Sequence, residues 1–202
     1  MAIINHGTRE ISLKIVYWGT GFSGKTENVV WLSRRILGED PLVLATQEGR
    51  TLFFDFKPLS KELPNGYKVR YSVYTVPGQA IYAASRRLVV EGADGIVFVV
   101  DSQRERFENN LMALEELLSV VGPENLGSRI PLVIQYNKRD LENIYPVEFL
   151  REKLNRFRAP DFEAVALKGI GVEETFNAIA ELSLERVLQN AKLQGEEANL
   201  NR

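Results

Sequence analysis

Residues 19–26 read Gly19-Thr20-Gly21-Phe22-Ser23-Gly24-Lys25-Thr26, which has the form G-x-x-x-x-G-K-[ST]. A strand-like segment (residues 11–18) precedes the stretch, and an apolar stripe with helical spacing follows it. A phosphate-binding loop joins a strand to a helix in this way, so the context favours such a loop over an ordinary glycine-rich turn. Its glycines let backbone N–H groups turn inward around a phosphate. The pattern predicts that Lys25 reaches the β- and γ-phosphates of a nucleotide and that Thr26 ligates Mg²⁺.

Outward from this loop, strand-like and helical segments alternate along the chain. The strand-like segments are residues 11–18, 51–56, 67–76, 95–100, 131–136 and 162–166. The helical segments are residues 25–38, 81–90, 107–121, 146–157 and 172–188, whereas residues 41–50 are interpreted as a loop or mixed segment. Alternation of this kind predicts an α/β fold of the P-loop NTPase class, with a six-stranded, mostly parallel sheet and helices on both faces. The turn signal Pro64-Asn65-Gly66 predicts a hairpin that makes the second strand the one antiparallel strand.

Length and composition predict one domain over residues 1–188 and a polar, flexible tail over 189–202. The net charge of −2 argues against a nucleic-acid partner. There are no cysteines and residue 2 is Ala2, so we expect no lipid anchor. No signal-peptide pattern or long apolar run is present, and we expect a cytoplasmic protein.

A second motif, Asn137-Lys138-Arg139-Asp140, directly follows the strand at residues 131–136. Guanine presents two parallel donors, N1–H and the 2-amino group, and the Asp140 carboxylate can accept both. Adenine would leave that carboxylate unpaired, so the motif favours a guanine nucleotide and argues against an ATPase or nucleotide kinase. Residues Ala166, Leu167 and Lys168 follow the last strand, where a backbone N–H could bond the guanine O6.

Three candidate residues for the γ-phosphate end of the nucleotide lie at the ends of the two strands of the predicted hairpin. Gly78 and Gln79 follow the strand at residues 67–76, and Thr51 begins the strand at residues 51–56. The N–H of Gly78 fits an approach to the γ-phosphate, and Gln79 fits the residue that orients the attacking water. Thr51 fits a ligand of Mg²⁺ that binds when a γ-phosphate is present. The alternatives are a β-branched residue that begins a strand for Thr51 and a solvated helix start for Gln79.

With these motifs the chain resembles small Ras-like GTPases, and specifically the MglA family of bacterial and archaeal polarity (gliding) GTPases, over nearly its whole length. The stretches that carry the resemblance are residues 50–56, 74–79 and 137–141. The resemblance implies a GTP/GDP switch with Mg²⁺ that hydrolyses GTP slowly alone. It also implies an activating roadblock (LC7-type) partner of the MglB kind, polarity or motility effectors, and recruitment to a cell pole by protein partners.

Two positions depart from most Ras-like proteins, because Thr75 stands where they carry an aspartate and Pro77 where they carry an alanine. The first of these bears on the metal. A neutral hydroxyl holds a metal-bound water more weakly than a carboxylate does. Asp55 could compensate, or could be an ordinary polar residue at a sheet edge. The resemblance implies that Arg50 is an arginine finger in cis, with Arg86, Arg87 or a partner as alternatives. The rival to a hydrolysing switch is a GTP-binding scaffold with negligible turnover.

Overall fold

The computed structural model describes residues 2–37, 42–45, 51–55, 61–76 and 83–200. Its strands are β1 (Ile3–Asn5), β2 (Glu10–Trp18), β3 (Leu42–Ala45), β4 (Thr51–Asp55), β5 (Lys61–Glu62), β6 (Lys68–Thr75), β7 (Gly95–Asp101), β8 (Leu132–Asn137) and β9 (Asp161–Glu163). Its α-helices are α1 (Lys25–Leu37), α2 (Ala83–Val90), α3 (Phe107–Val121), α4 (Val147–Leu154) and α5 (Val172–Leu200). Two short 3-10 helices, Arg104–Arg106 and Ala166–Lys168, follow β7 and β9.

The main sheet has the strand order β5-β6-β2-β7-β8-β9, with β1 paired to β2. The run from β6 to β9 is parallel, whereas β1 and β5 pair antiparallel with their neighbours. This architecture confirms the predicted α/β P-loop NTPase fold. Because the strands are parallel, the segments that follow β2, β7, β8 and β9 emerge at one edge of the sheet, where ligands of such folds bind.

The two faces of the sheet are covered by different helices. One face packs on α1 and α5 through residues such as Leu32 and Phe176. The other face packs on α3 and α4 through residues such as Leu117 and Leu150. Every residue of β7 and β8 is buried, as expected for central strands that are covered on both sides. The sheet therefore holds its carboxyl edge as a rigid base for the loops of the site.

The hairpin prediction is correct for the turn but wrong for the strand that the turn joins. The turn at Pro64–Gly66 connects β6 to the two-residue strand β5, because so short a turn pairs the residues that flank it directly. Strand β4 instead pairs antiparallel with β3 in a separate two-stranded sheet. The segment 42–45, interpreted from the sequence as loop or mixed, is thus a strand.

Two further elements differ from the sequence prediction. Strand β1 was not predicted, although Ile3 and Ile4 carry the apolar signal of a strand. Helix α5 continues to Leu200, well beyond residue 188, where the sequence predicted the start of a flexible tail. Residues 189–200 are rich in Gln, Glu, Ala, Lys and Leu, which are good helix formers, so their propensity favours this continuation. The division of the chain at 188 stays a prediction.

Candidate nucleotide-binding site

The phosphate-binding loop lies between β2 and α1, as the sequence predicts. Gly19 and Gly24 have φ values of 148° and 98°, in the region that favours glycine. A Cβ atom at Gly24 would collide with the side-chain amide of Asn137, and one at Gly19 would collide with the carbonyl of Val99. Both glycines are therefore required by the close approach of the loop to the ends of β7 and β8.

The side chain of Lys25 lies inside the loop. Its Nζ donates to the carbonyls of Gly19 at 2.9 Å and Thr20 at 2.7 Å, and the residue is 6% exposed. Burial lowers the pKa of Lys25 to about 7, and the positive charge of Arg86 adds to this shift. No carboxylate is among the causes of the shift, so the amine fits an anion such as a nucleotide phosphate.

Two buried hydroxyls at this end of the site lack a partner among the described residues. They belong to Ser23 in the loop and Thr75 at the end of β6. A buried hydroxyl without a hydrogen bond is destabilising, and a bound ligand with polar atoms would relieve that cost. Thr26 is the second residue of α1, half-buried beside Lys25. The cradle, the lysine and the hydroxyls together fit a nucleotide phosphate with Mg²⁺.

Asn137 joins the phosphate loop to the last loop of the sheet. Its Nδ2 donates to the carbonyl of Ser23 at 2.8 Å, and its Oδ1 accepts from the amide of Ala166 at 2.9 Å. The side chain is buried, so both bonds are shielded from water. Asn137 therefore acts as a crosslink between three loops of the site.

Asp140 lies at the base end of the site beside Lys168. Its Oδ2 accepts from Lys168 Nζ at 3.0 Å, and this hydrogen bond lowers the pKa of the carboxyl. The side chain of Asp140 is 32% exposed, so its carboxylate remains open to a ligand. A pocket of about 360 Å³ lies here, lined by the phosphate loop, the Asn137 motif and residues 165–167.

The loop after β9 forms a 3-10 helix, and its amides are not equivalent. The amide of Ala166 donates to Asn137 and the amide of Lys168 donates to the carbonyl of Val165. Among these three residues, the amide of Leu167 is the one for which the described structure gives no protein acceptor. Of the three candidates from the sequence, Leu167 is therefore the one whose N–H is left available for a base oxygen.

Sequence reasoning missed two residues that hold these loops. Asp101 ends β7, is fully buried, and accepts from Lys138 Nζ at 2.7 Å. Arg106 donates from Nη2 to the carbonyl of Gly21 at 2.8 Å. A usable signal existed, because Asp101 directly follows an apolar strand and the sequence Arg-Glu-Arg comes soon after it, at the edge where ligands bind.

Two comparisons with known proteins agree with this geometry. A sequence model of the ADP-ribosylation factor (Arf) family matches residues 5–183. The chain is also 47% identical over 188 residues to the mutual gliding-motility protein MglA of Myxococcus xanthus (strain DK1622). This alignment covers 91% of the chain and 96% of the relative. The chain belongs to the MglA-type small GTPases. The family resemblance inferred from the motifs is thereby confirmed.

As a small GTPase of this type, the chain is a GTP-binding switch, and its family binds guanine nucleotides. Within the described ranges, none of the helices of this GTPase has the length and apolar character that a membrane span requires. The nucleotide site and the two loops that frame its base end all fall inside the region matched by the family.

The switch residues of this GTPase are only partly covered by the described structure. Arg50, Gly78 and Gln79 lie outside the described residues, and their roles stay predictions. Thr51 and Asp55 are the first and last residues of β4.

Of the two alternative arginines, Arg87 is exposed. Arg86 is buried, pairs with Glu116 of α3 at 2.5 Å, and lies over the ring of Trp18. The assignment of an arginine finger stays a prediction.

Proposed function

We propose that this GTPase is a Mg²⁺-dependent switch that binds and hydrolyses GTP to control motility or polarity machinery. The observation that carries the guanine-nucleotide part is the joint placement of Asp140, Asn137 and the phosphate loop around one pocket. The name of the Myxococcus relative, a mutual gliding-motility protein, supports the cellular role.

At the phosphate end, the residues act by charge and by position. Lys25 leaves its two carbonyl partners for a phosphate oxygen, which favours its charged form. The hydroxyls of Thr26 and Thr51 would hold Mg²⁺, which when bound draws charge from the phosphate oxygens. Gln79 would orient the attacking water, the N–H of Gly78 would approach the γ-phosphate, and Arg50 would offset charge in the transition state.

At the base end, Asp140 supplies the discrimination. Its carboxylate accepts the N1–H and 2-amino groups of guanine, and the N–H of Leu167 would donate to O6. Adenine reverses this pattern and leaves the carboxylate without its two donors. The hydrogen bond from Lys168 lowers the pKa of Asp140 further and so favours the carboxylate form that accepts these donors.

Calorimetry with GDP and ADP tests the base specificity. We expect GDP to bind at least about a hundredfold more tightly than ADP. The reason is that adenine lacks the two donors on its base edge that guanine offers to the charged Asp140 carboxylate. Equal affinities would contradict the guanine assignment for this chain.

Single-turnover hydrolysis of GTP separates a switch from a scaffold. We expect slow turnover alone and faster turnover with a purified roadblock-domain protein of the MglB kind. The Gln79→Leu and Arg50→Ala variants should slow the stimulated rate while GDP affinity stays nearly unchanged, because both residues act on the transition state. Turnover that stays undetectable with the partner present would instead support a GTP-binding scaffold.

A further inference from the structure

We propose that Arg106 is a positioning residue for nucleotide retention: it holds the carbonyl of Gly21 and links the phosphate loop, through buried Asp101, to the guanine motif. Arg106 ends the 3-10 helix that follows β7. Its Nη2 lies 2.8 Å from Gly21 O and 3.4 Å from Thr20 Oγ1. The inference rests on the guanine-nucleotide site proposed above.

The contact with Gly21 sets the direction of a binding group. A peptide unit is planar and trans, so its C=O and the next residue's N–H point in opposite directions. When Arg106 fixes the Gly21 carbonyl, it also fixes the direction of the Phe22 amide. Phosphate loops bind through such amides, and a donor that is oriented before binding loses less entropy when the ligand arrives.

The backbone conformation of Phe22 makes the hydrogen bond from Arg106 to Gly21 important. The φ of Phe22 is 65°, a left-handed conformation that is unfavourable for a residue with a Cβ. A strained turn persists only where surrounding contacts hold it. The guanidinium of Arg106 supplies a charge-assisted hydrogen bond at the residue directly before Phe22.

Asp101 connects this restraint to the base end. Its Oδ2 lies 2.7 Å from Lys138 Nζ and 3.9 Å from Arg106 Nε, while Gln103 donates to Oδ1 at 3.1 Å. Its backbone is fixed by Asn110, which accepts from the Asp101 amide and donates to the Asp101 carbonyl. The carboxylate of Asp101 thus lies between two cations: Lys138, which belongs to the guanine motif, and Arg106, which contacts the phosphate loop.

This arrangement predicts which changes the protein tolerates. Removal of Arg106 leaves Asp101 paired with Lys138, so no buried charge is left unpaired and the fold should persist. The Arg106→Lys variant keeps the charge but loses the planar fork that reaches both Gly21 and Asp101. It should therefore recover only part of the effect.

The test is the dissociation rate of a fluorescent GDP analogue, chased with excess GDP in the presence of Mg²⁺. We expect Arg106→Ala to raise the rate about tenfold and Arg106→Lys to raise it less. The matched control is Arg104→Ala in the same short helix, whose guanidinium lies over the ring of Tyr145 at 4.6 Å. This control should stay within about twofold of the wild type.

A second readout separates positioning from general stability. The melting temperature of the GDP-bound Arg106→Ala protein should stay within a few degrees of the wild type, and the ratio of GDP to IDP affinity should not change, because Asp140 still reads the base. A dissociation rate unchanged in Arg106→Ala, or raised equally in Arg104→Ala, would overturn the inference. Failure of the wild-type protein to bind the analogue would instead contradict the guanine-nucleotide site itself.

Discussion

The two ends of the nucleotide site differ in how their polar groups are satisfied. At the base end, Asn137 and Lys138 are held by protein partners, and Asp140 pairs with Lys168 at its rim. At the phosphate end, Lys25 lies on two carbonyls of its own loop and the hydroxyls of Ser23 and Thr75 are without a partner in the described structure.

This difference shows which half of the site is complete before a ligand binds. The polar groups of the base end already have protein partners, so we expect binding there to need little rearrangement and to give specificity. The phosphate end holds a buried amine and buried hydroxyls, so much of its stability must come from the ligand. Changes at the phosphate end should therefore alter affinity most, and changes at the base end should alter discrimination.

The largest effect is expected from Lys25→Ala. The amine is the buried cation of the phosphate loop, so its loss should weaken GDP binding by about a hundredfold or more. Isothermal calorimetry measures this effect. Lys153→Ala, which removes an exposed lysine paired with Glu152, serves as the control and should bind as the wild type does. Equal GDP affinities of the Lys25→Ala and Lys153→Ala proteins would contradict the expectation that the phosphate end contributes most of the affinity.

At the base end, Asp140→Asn should exchange one specificity for another. The amide presents a donor where guanine also presents one, so GDP affinity should fall about 10- to 100-fold while XDP affinity rises. Competition against a fluorescent GDP analogue measures both. Lys168→Ala leaves the carboxylate in place and should change GDP affinity by less than about threefold. Loss of binding to both bases in Asp140→Asn would indicate a structural role instead.

The pH dependence of GDP binding tests the state of Lys25. Its pKa of about 7 in the free protein means that the amine is half charged near pH 7 and mostly neutral near pH 8. A phosphate favours the charged form, so binding should take up about half a proton near pH 7 and close to one near pH 8. Affinity should fall about fivefold over that step.

Calorimetry in buffers with different ionisation enthalpies counts these protons. The same shift has a consequence for folding without nucleotide, because the unfolded state binds more protons at Lys25 between pH 7 and the ordinary lysine pKa of 10.5. This residue therefore makes the free energy of unfolding rise with pH across that window. Proton uptake that is equal near pH 7 and pH 8 would contradict the lowered pKa.

The smallest effect is expected from Thr75→Val. The substitution removes a buried hydroxyl without a partner, so the nucleotide-free protein should gain up to about 1 kcal/mol of stability. If Thr75 holds a water on Mg²⁺, GDP retention should also become less dependent on Mg²⁺. Tyr17→Phe is the control, because Tyr17 lies opposite Thr75 in the β2–β6 register and its buried hydroxyl also lacks a partner. Denaturant unfolding and GDP release with and without Mg²⁺ measure the two effects, and identical Mg²⁺ dependence in both variants would exclude this role for Thr75.

The sequence is most informative where the candidate residues are contiguous and follow the end of a strand. The phosphate loop and the Asn137–Asp140 motif each combine residue types, spacing and strand context, and the structure brings them to one pocket. The bond from Arg106 to Gly21 spans 85 positions of the chain and follows only from the tertiary fold. The motif therefore predicted the pocket but not the residue that braces it.

The missed elements have a different cause. Strand β3 carries the apolar residues Leu42, Val43 and Leu44. Its partner is β4, which the turn signal had assigned to a hairpin with the strand at residues 67–76. In residues 189–200, the polar composition favours a tail, although the helix propensity of the same residues is high. In both cases a local signal is present, and the choice between two interpretations depends on contacts that the sequence does not display.

The position of Asp101 between two cations has a consequence for how sequences of this type diverge. Neutral drift proceeds one substitution at a time, and a change at Asp101 would affect the partner of Lys138 and the neighbour of Arg106 in the same step. We expect these three positions to vary jointly among descendants of a common ancestor, whereas exposed neighbours such as Arg104 drift independently. Substitutions in the guanine motif and in the short helix after β7, which are far apart in the sequence, would then be coupled.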